Sequence, residues 1–209
     1  MTRILLCEDH ALVREGLRQL LEANPEFTVL ADVSSAEQLL KTLRKMKPDV
    51  LVLDIALPGR SGLEVLKQTK LLYPGLKVLV LSMYPEDQFA VRMIKAGASG
   101  YLHKDSPPSE LYEALRTIAR GGKYVSPAIM SLLFNEIAGQ MDSPSYKSLS
   151  DREFEVLLLI GKGRKMSEIA ASMSLSVKTV STYKTRLLEK LHIKNYADIT
   201  RYVLENNLT

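Results

Sequence analysis

The sequence predicts an α/β chain: an open, doubly wound parallel sheet of five strands with helices on both faces, followed by a small all-helical block. Three observations predict this. Five short apolar runs alternate with amphipathic stretches through residues 3–120. After Gly121-Gly122 the strand pattern stops and does not return. Between the blocks, GQMDSPSYKS at 139–148 is small, polar and broken by proline, which is linker chemistry. The expected division is 1–121, a connecting helix and linker over 122–148, and a helical block over 149–209.

The strands are expected at ILLC (4–7), TVLADV (28–33), VLVLD (50–54), KVLVLS (77–82) and GYLHK (100–104). Each is apolar at consecutive positions, as strands covered on both faces read. Between them, apolar residues recur at helical spacing: Leu12, Val13, Gly16, Leu17, Leu20 and Leu21, then Leu39, Leu40 and Leu43, then Leu63, Val65, Leu66 and Thr69, then Phe89, Ala90, Met93 and Ile94. Ser34 and Glu37 read as a capping box, and Ser106-Pro107 as an N-cap followed by proline at the first helical position. Pro48, Pro74 and Gly97 end the preceding helices. Right-handed crossovers favour the open sheet, whose chemistry lies beyond the carboxyl ends of the strands.

Composition narrows the function class. Of 209 residues, 46% are hydrophobic and 25% charged, which excludes wholesale disorder. Cys7 is the single cysteine, so no internal disulfide forms and a reducing compartment is expected. It reads as a small core residue. The start, MTRILLCEDHALVREGL, has no secretory pattern, and no apolar run approaches a membrane span of about 18 residues. A cytoplasmic protein without membrane contact is expected. Residues 161–194 carry eight Lys and Arg against Glu168 and Glu189, which is either a solvated face or the footprint of a polyanion.

The strand ends carry chemistry. The first ends at Glu8-Asp9, the third at Asp54, the fourth at Ser82 and the fifth at Lys104. A parallel sheet with the first strand between its neighbours gathers these ends into one pocket. Clustered carboxylates repel unless a cation shares the site, and Mg²⁺ suits such a set of hard oxygens. With the metal bound, Asp54 can act as a nucleophile toward phosphorus, Lys104 can neutralise charge on the transferring group, and Ser82 can donate to a phosphate oxygen. Singly, Asp9 and Asp54 read as helix or loop caps and Lys104 as a surface lysine. His10 is expected to cap or pack rather than ligate, since imidazole prefers softer metals, and His103 to be structural.

Glu8-Asp9, Asp54 followed by LPGRSGLE, Ser82 and Lys104 resemble the receiver domain of two-component response regulators over residues 3–120. The resemblance implies a flavodoxin-like sheet of order 2-1-3-4-5 and phosphorylation of Asp54 by a sensor histidine kinase. It implies Mg²⁺ held by Glu8, Asp9, Asp54 and the backbone carbonyl of Ala56. It also implies that Ser82 and Tyr101 reorient on phosphorylation. Three positions depart from the pattern. Glu8 replaces a frequent Asp, so its longer arm is expected to reach the metal through water. Met83 follows Ser82, and Asp105 follows Lys104 where many members carry proline.

The helical block has helix-turn-helix grammar in MSEIAASMSLSVKTVSTYKTRLLEKL at 166–191. SDREF at 150–154 opens with a capping box, Ser150 and Glu153. Helices are expected at 166–173, 177–191 and 195–206, with a turn at Ser174-Leu175 and Ser176 as N-cap. Projected at about 100° per residue, Val180, Tyr183, Leu187, Leu188 and Leu191 form a buried stripe. Lys178, Ser181, Thr182 and Thr185 lie opposite and can approach base edges, together with Thr179 at the helix start. Arg186 and Lys190 flank the stripe and suit phosphates, and Lys184 reaches one by snorkelling.

With LSDREFEVL before it and NYADITRYVLENNL after it, this stretch resembles the LuxR-type helix-turn-helix over 149–208, with Tyr183 where histidine is frequent. The whole chain is therefore similar to NarL/FixJ-type response regulators. The resemblance implies a transcription factor with promoter DNA as partner and RNA polymerase as a further candidate. It also implies a homodimer on DNA through the last helix, where Ile199, Tyr202 and Val203 are the apolar candidates. Their alternative is packing inside the small domain. Three rival readings stand beside this one. The first is an Asp-nucleophile phosphohydrolase, against which Ala56 stands where a second Asp would be needed. The second is a DNA-binding protein controlled by dimerisation without phosphorylation. The third is a receiver acting on proteins alone.

Overall fold

The computed structural model describes residues 1–57, 60–83, 86–137, 145–173, 175–206 and 208. The chain divides into two compact units, Met1–Phe134 and Asn135–Thr209. The expected linker residues 139–144 and Ser174 of the expected turn lie outside the described residues.

In the first unit β1 (Thr2–Cys7), β2 (Phe27–Val33), β3 (Val50–Asp54), β4 (Lys77–Ser82) and β5 (Gly100–His103) alternate with α1 (Ala11–Glu22), α2 (Ala36–Leu43), α3 (Gly62–Leu72), α4 (Glu86–Lys95) and α5 (Pro108–Ala119). The sheet is parallel throughout, in the order β2-β1-β3-β4-β5. Every residue of β3 is buried, because helices cover both faces of this central strand. Ile4, Leu6, Val50, Val52, Leu79 and Leu81 pack against Leu111, Ala114, Leu115 and Ile118 of α5 in one core. Register aligns the strand ends: Cys7 lies beside Leu53, Asp54 beside Leu81, and Ser82 beside His103. That alignment sets the chemistry, since each polar residue follows directly on a buried apolar run.

Three local expectations shift. The N-cap of α2 is Ser35, whose Oγ accepts from the Gln38 amide, while Gln38 Oε1 accepts the Ser34 amide. Glu37 instead pairs with Lys41 one turn on. The N-cap of α5 is Pro107, with Pro108 as first helical residue, one position later than Ser106-Pro107 suggested. Leu12 is 87% exposed, so the buried stripe of α1 begins with Leu17, Leu20 and Leu21. Beyond α5 the chain stays with the sheet: the Tyr124 carbonyl accepts from the Tyr101 amide at 3.1 Å, and the Tyr124 amide donates to the Ser99 carbonyl at 3.0 Å. The helix α6 (Pro127–Ile137) follows.

The second unit contains α7 (Asp151–Gly161), α8 (Met166–Ser172), α9 (Val177–Leu191) and α10 (Tyr196–Glu205). Val180, Leu187 and Leu191 of α9 are buried as the projection requires. They share the interior with Phe154, Leu157, Leu158, Ile169 and Met173. Ser176 caps α9 by accepting from the Thr179 amide. Gly161 is obligatory for packing: a Cβ there would come within 2.5 Å of Val203 Cγ1. Two of the three dimerisation candidates, Ile199 and Val203, lie inside this unit, and Tyr202 is half-buried. Ile199 and Val203 are 0% exposed because they close this core, and the Tyr202 hydroxyl accepts from the Tyr146 amide at 3.1 Å.

The capping box of α7 forms as expected: Glu153 Oε2 accepts from the Ser150 amide at 2.8 Å, and Ser150 Oγ from the Glu153 amide at 3.4 Å. The same carboxylate oxygen holds Lys190 Nζ at 2.7 Å. Lys190, expected as a phosphate contact, ties α9 to α7 through this ion pair, with its side chain still 41% exposed. Burial alone pushes the Glu153 carboxyl up, but Lys190 and Ser150 outweigh it and hold it below the usual carboxylate range. A depressed carboxyl stabilises the fold above its unfolded pKa and loses that contribution as pH falls through the lowered value. Lys190→Met in the full chain is therefore expected to cost the second unit about 1–3 kcal/mol at pH 7, read by denaturant unfolding. The deficit is expected to shrink well below pH 4.5, where Glu153 is neutral and no longer needs a cation.

Candidate functional site

The pocket forms at the carboxyl ends of β1, β3, β4 and β5. Glu8 and Asp54 are each 2% exposed, and Ser82 and Tyr101 are wholly buried. Lys104 follows β5 and reaches back across the sheet. Its Nζ lies 2.6 Å from Glu8 Oε2 and 2.9 Å from Asp54 Oδ2, with the lysine side chain 10% exposed. Burial pulls the Lys104 pKa down, yet Asp54 and Glu8 together carry it above the ordinary lysine value. The ammonium is therefore held charged between two buried carboxylates. Its own amide donates to the Ser82 carbonyl at 2.8 Å, which ties the end of β4 to the lysine.

Each carboxylate is held differently. Asp54 Oδ1 accepts from the Ala56 amide at 3.1 Å. The Glu8 carboxylate is occupied at both oxygens, Oε2 by Lys104 and Oε1 by the His10 amide at 3.1 Å. Asp9 is the more open acid, at 25% exposure. Asp9 Oδ1 and Asp54 Oδ2 are buried oxygens that accept no hydrogen bond. His10 Nδ1 and Lys104 Nζ approach them to 3.0 and 2.9 Å, ion-pair distances without hydrogen-bond alignment. The four side chains Glu8, Asp9, His10 and Asp54 each bring one donor atom within 4.8 Å of the others. Hard carboxylate oxygens clustered in this way, with Asp9 Oδ1 lacking a hydrogen bond, fit a hard divalent cation.

Reading the sequence missed Arg14 in this neighbourhood and gave His10 and His103 only capping, packing or structural roles. His10 starts α1 without a side-chain cap bond, and its Nδ1 lies 3.2 Å from Glu8 Oε1 and 3.0 Å from Asp9 Oδ1. Arg14 Nη1 donates to the carbonyls of Glu8 and Asp9 at 2.8 and 3.3 Å, fixing the loop that carries both acids. The only advance signal for Arg14 was its place one turn into α1. His103 Nδ1 accepts from the Asp105 amide at 3.2 Å, so Nε2 carries the proton that points to the Met83 carbonyl at 3.2 Å. That contact joins β5 to the loop after β4. Burial first, then Asp54, Glu8 and Asp9, push the Cys7 thiol up, so it stays a neutral core group.

The second candidate surface lies on α9. Lys178, Thr182, Thr185 and Arg186 are exposed, and Thr179, Ser181 and Lys184 are half-buried. Ser176, Lys178, Thr179, Thr182, Tyr183 and Arg186 line a shallow concavity of about 350 Å³. Among the described residues Lys178, Lys184 and Arg186 have no acidic partner, unlike Lys190. A helix face of small polar residues edged by free cations is shaped for a polyanion groove. On α10, the exposed apolar side chains are Tyr196 and Leu204. No described helix is long and apolar enough to cross a membrane.

Comparison with known proteins matches a family to most of each unit. Residues 4–116 match the response regulator receiver domain, and residues 147–203 match the bacterial regulatory proteins of the luxR family. The chain is 34% identical to the oxygen regulatory protein NreC of Staphylococcus epidermidis, over 99% of this chain and 98% of NreC. It is 32% identical to the response regulator UvrY of Escherichia coli, over 100% of this chain and 96% of UvrY. Among solved structures it is similar to RcsB of Salmonella enterica serovar Typhimurium bound to promoter P1flhDC in the presence of the phosphomimetic BeF3⁻. That match has a TM-score of 0.68 and 27% identity, covering 97% of this chain and 98% of RcsB. A receiver fold with its acidic pocket and a helix-turn-helix unit thus occur in one chain, which belongs to the NarL/FixJ-type two-component response regulators, a family of transcriptional regulators and not of enzymes.

Proposed function

We propose that the chain accepts a phosphoryl group on Asp54 from a sensor histidine kinase in the cytoplasm and, as a dimer, controls transcription by binding promoter DNA through α9. The observation that carries the reading is Asp54 itself: a buried carboxylate at the end of β3, one oxygen held by the Ala56 amide and the other beside the Lys104 ammonium. The receiver function falls to 1–121, the connection to 122–148 and DNA binding to 149–209. RcsB supports the second half, having been solved on promoter DNA with a phosphomimetic and as two dimers on two parallel DNAs.

In the transfer, an Asp54 oxygen bonds to phosphorus as the bond from phosphorus to the donor nitrogen breaks, and the leaving imidazole keeps its electron pair. Lys104 faces the incoming oxygens with a charge that is already fixed in place, so little reorganisation is needed. Asp9, Asp54 and the Ala56 carbonyl would hold Mg²⁺ directly. Glu8, already bound at both oxygens, would act through water. Bound Mg²⁺ supplies charge neutralisation among the carboxylates and the phosphoryl oxygens. Ser82, bonded through its carbonyl to the Lys104 amide, and Tyr101 on β5 are both buried and are the groups whose rearrangement would report the modification. A coupling of about 1–3 kcal/mol between phosphorylation and DNA binding gives roughly 5–150-fold tighter binding.

Acetyl phosphate with Mg²⁺ is expected to label the chain once. Asp54→Asn and Asp9→Ala should abolish labelling, and Glu8→Ala should slow it without abolishing it. Label retained in Asp54→Asn, or unaffected by a chelator, contradicts the reading. DNA binding should fall steeply with salt, with a log–log slope of about −4 to −5 if about five phosphates are neutralised. Arg186→Ala should reduce that slope by about one. Lys190→Ala should leave it unchanged, since that ammonium is committed to Glu153.

A further inference from the structure

Thr182 and Thr185 both stand exposed on the outward side of α9. Their hydroxyls are already spent. Thr182 Oγ1 donates to the Lys178 carbonyl at 3.0 Å, and Thr185 Oγ1 donates to the Ser181 carbonyl at 3.1 Å. A hydroxyl has a single hydrogen to give. With that hydrogen turned along the helix, each threonine offers a partner only its γ-methyl and an accepting lone pair. The hydroxyls at the helix start are engaged too: Ser176 Oγ and Thr179 Oγ1 lie 2.8 Å apart, and Ser176 also accepts from the Thr179 amide. Free donors on this face come instead from Lys178 and Ser181, whose side chains have no partner among the described residues.

The major groove presents one apolar group, the C5-methyl of thymine. We propose that α9 reads thymine through the γ-methyls of Thr182 and Thr185, and that hydrogen-bond donation to base edges falls to Lys178 and Ser181. The proposal rests on the DNA-binding reading above and adds which base is recognised and by which atoms. The two threonines are three residues apart, about 4.5 Å along the helix axis. This is close to the spacing of successive base pairs, about 3.4 Å along one strand. The pair therefore addresses thymines within one short run of base pairs. Cytosine, with a hydrogen in place of the methyl and a donor at N4, leaves both methyls without an apolar partner.

The test separates methyl from hydroxyl on both molecules. Binding sites are selected from a random DNA pool with the full-length chain in beryllofluoride and Mg²⁺. Each thymine of the selected site is then replaced singly by deoxyuridine, which removes only the methyl. At one or two positions per half-site, replacement should weaken binding about fourfold, the worth of one buried methyl-sized group. Thr182→Val and Thr185→Val keep the methyl and should retain this sensitivity. Thr182→Ser and Thr185→Ser lack it and should each lose the sensitivity at one position. Ser181→Ala should bind more weakly with its thymine sensitivity intact. A selected site indifferent to every thymine methyl overturns the proposal, as does a Val variant that binds worse than its Ser counterpart. A pool that never enriches overturns the DNA-binding reading and this proposal with it.

Discussion

Much of the first unit's chemistry depends on one ammonium held between two buried carboxylates. Lys104 crosses from the end of β5 to Glu8 and Asp54, at the ends of β1 and β3. Each of these three charges would be costly to bury alone, and the sheet order brings them within ion-pair distance. Parallel pairing makes this possible, since it places all carboxyl ends on one edge. The apolar runs ILLC, VLVLD and KVLVLS fix the register by burial, and the polar residue that follows each run has one place to go.

The ammonium also connects the pocket to its surroundings. The Lys104 amide binds the Ser82 carbonyl, and the neighbouring His103 ring binds the Met83 carbonyl. The loop after β4 is thus held from β5 at two successive residues. A change of charge on Asp54 alters what Lys104 must neutralise, and the backbone of β4 is bonded directly to that residue. The second unit rests on an analogous arrangement on a smaller scale. Glu153 accepts from its own capping partner and from Lys190, so a cap on one helix also fastens another.

The fold was legible in the sequence because strands covered on both faces leave an unbroken apolar signature. The acidic pocket was legible because its members sit at the ends of those strands. Helix faces were harder to read. Leu12 fits the stripe of α1 and yet stands in solvent, since helical periodicity does not say where a helix begins to touch the sheet. Ile199 and Val203 look alike whether they face a partner or their own core, and only the packing against Gly161 and α7 decides. Lys190 reads as a groove cation until Glu153, distant in sequence, is seen 2.7 Å away. Arg14 and His103 act through backbone groups, and His10 through its ring beside the Glu8 and Asp9 carboxylates, contacts that carry no spacing rule. The threonine hydroxyls of α9 belong to the same class, being polar in composition but internally satisfied.

The Lys104 ammonium makes the acidic pocket tolerable, and thermal unfolding of Lys104→Met shows by how much. Removing one partner of a buried ion pair costs about 3–5 kcal/mol. In chelator, the first unit of the variant should therefore melt roughly 10 °C below the unmodified chain. Millimolar Mg²⁺ should recover much of that loss, by supplying a cation to the carboxylates the lysine has left, and should raise the variant's melting temperature more than that of the unmodified chain. Equal melting temperatures in chelator, with no greater response of the variant to Mg²⁺, would contradict the account.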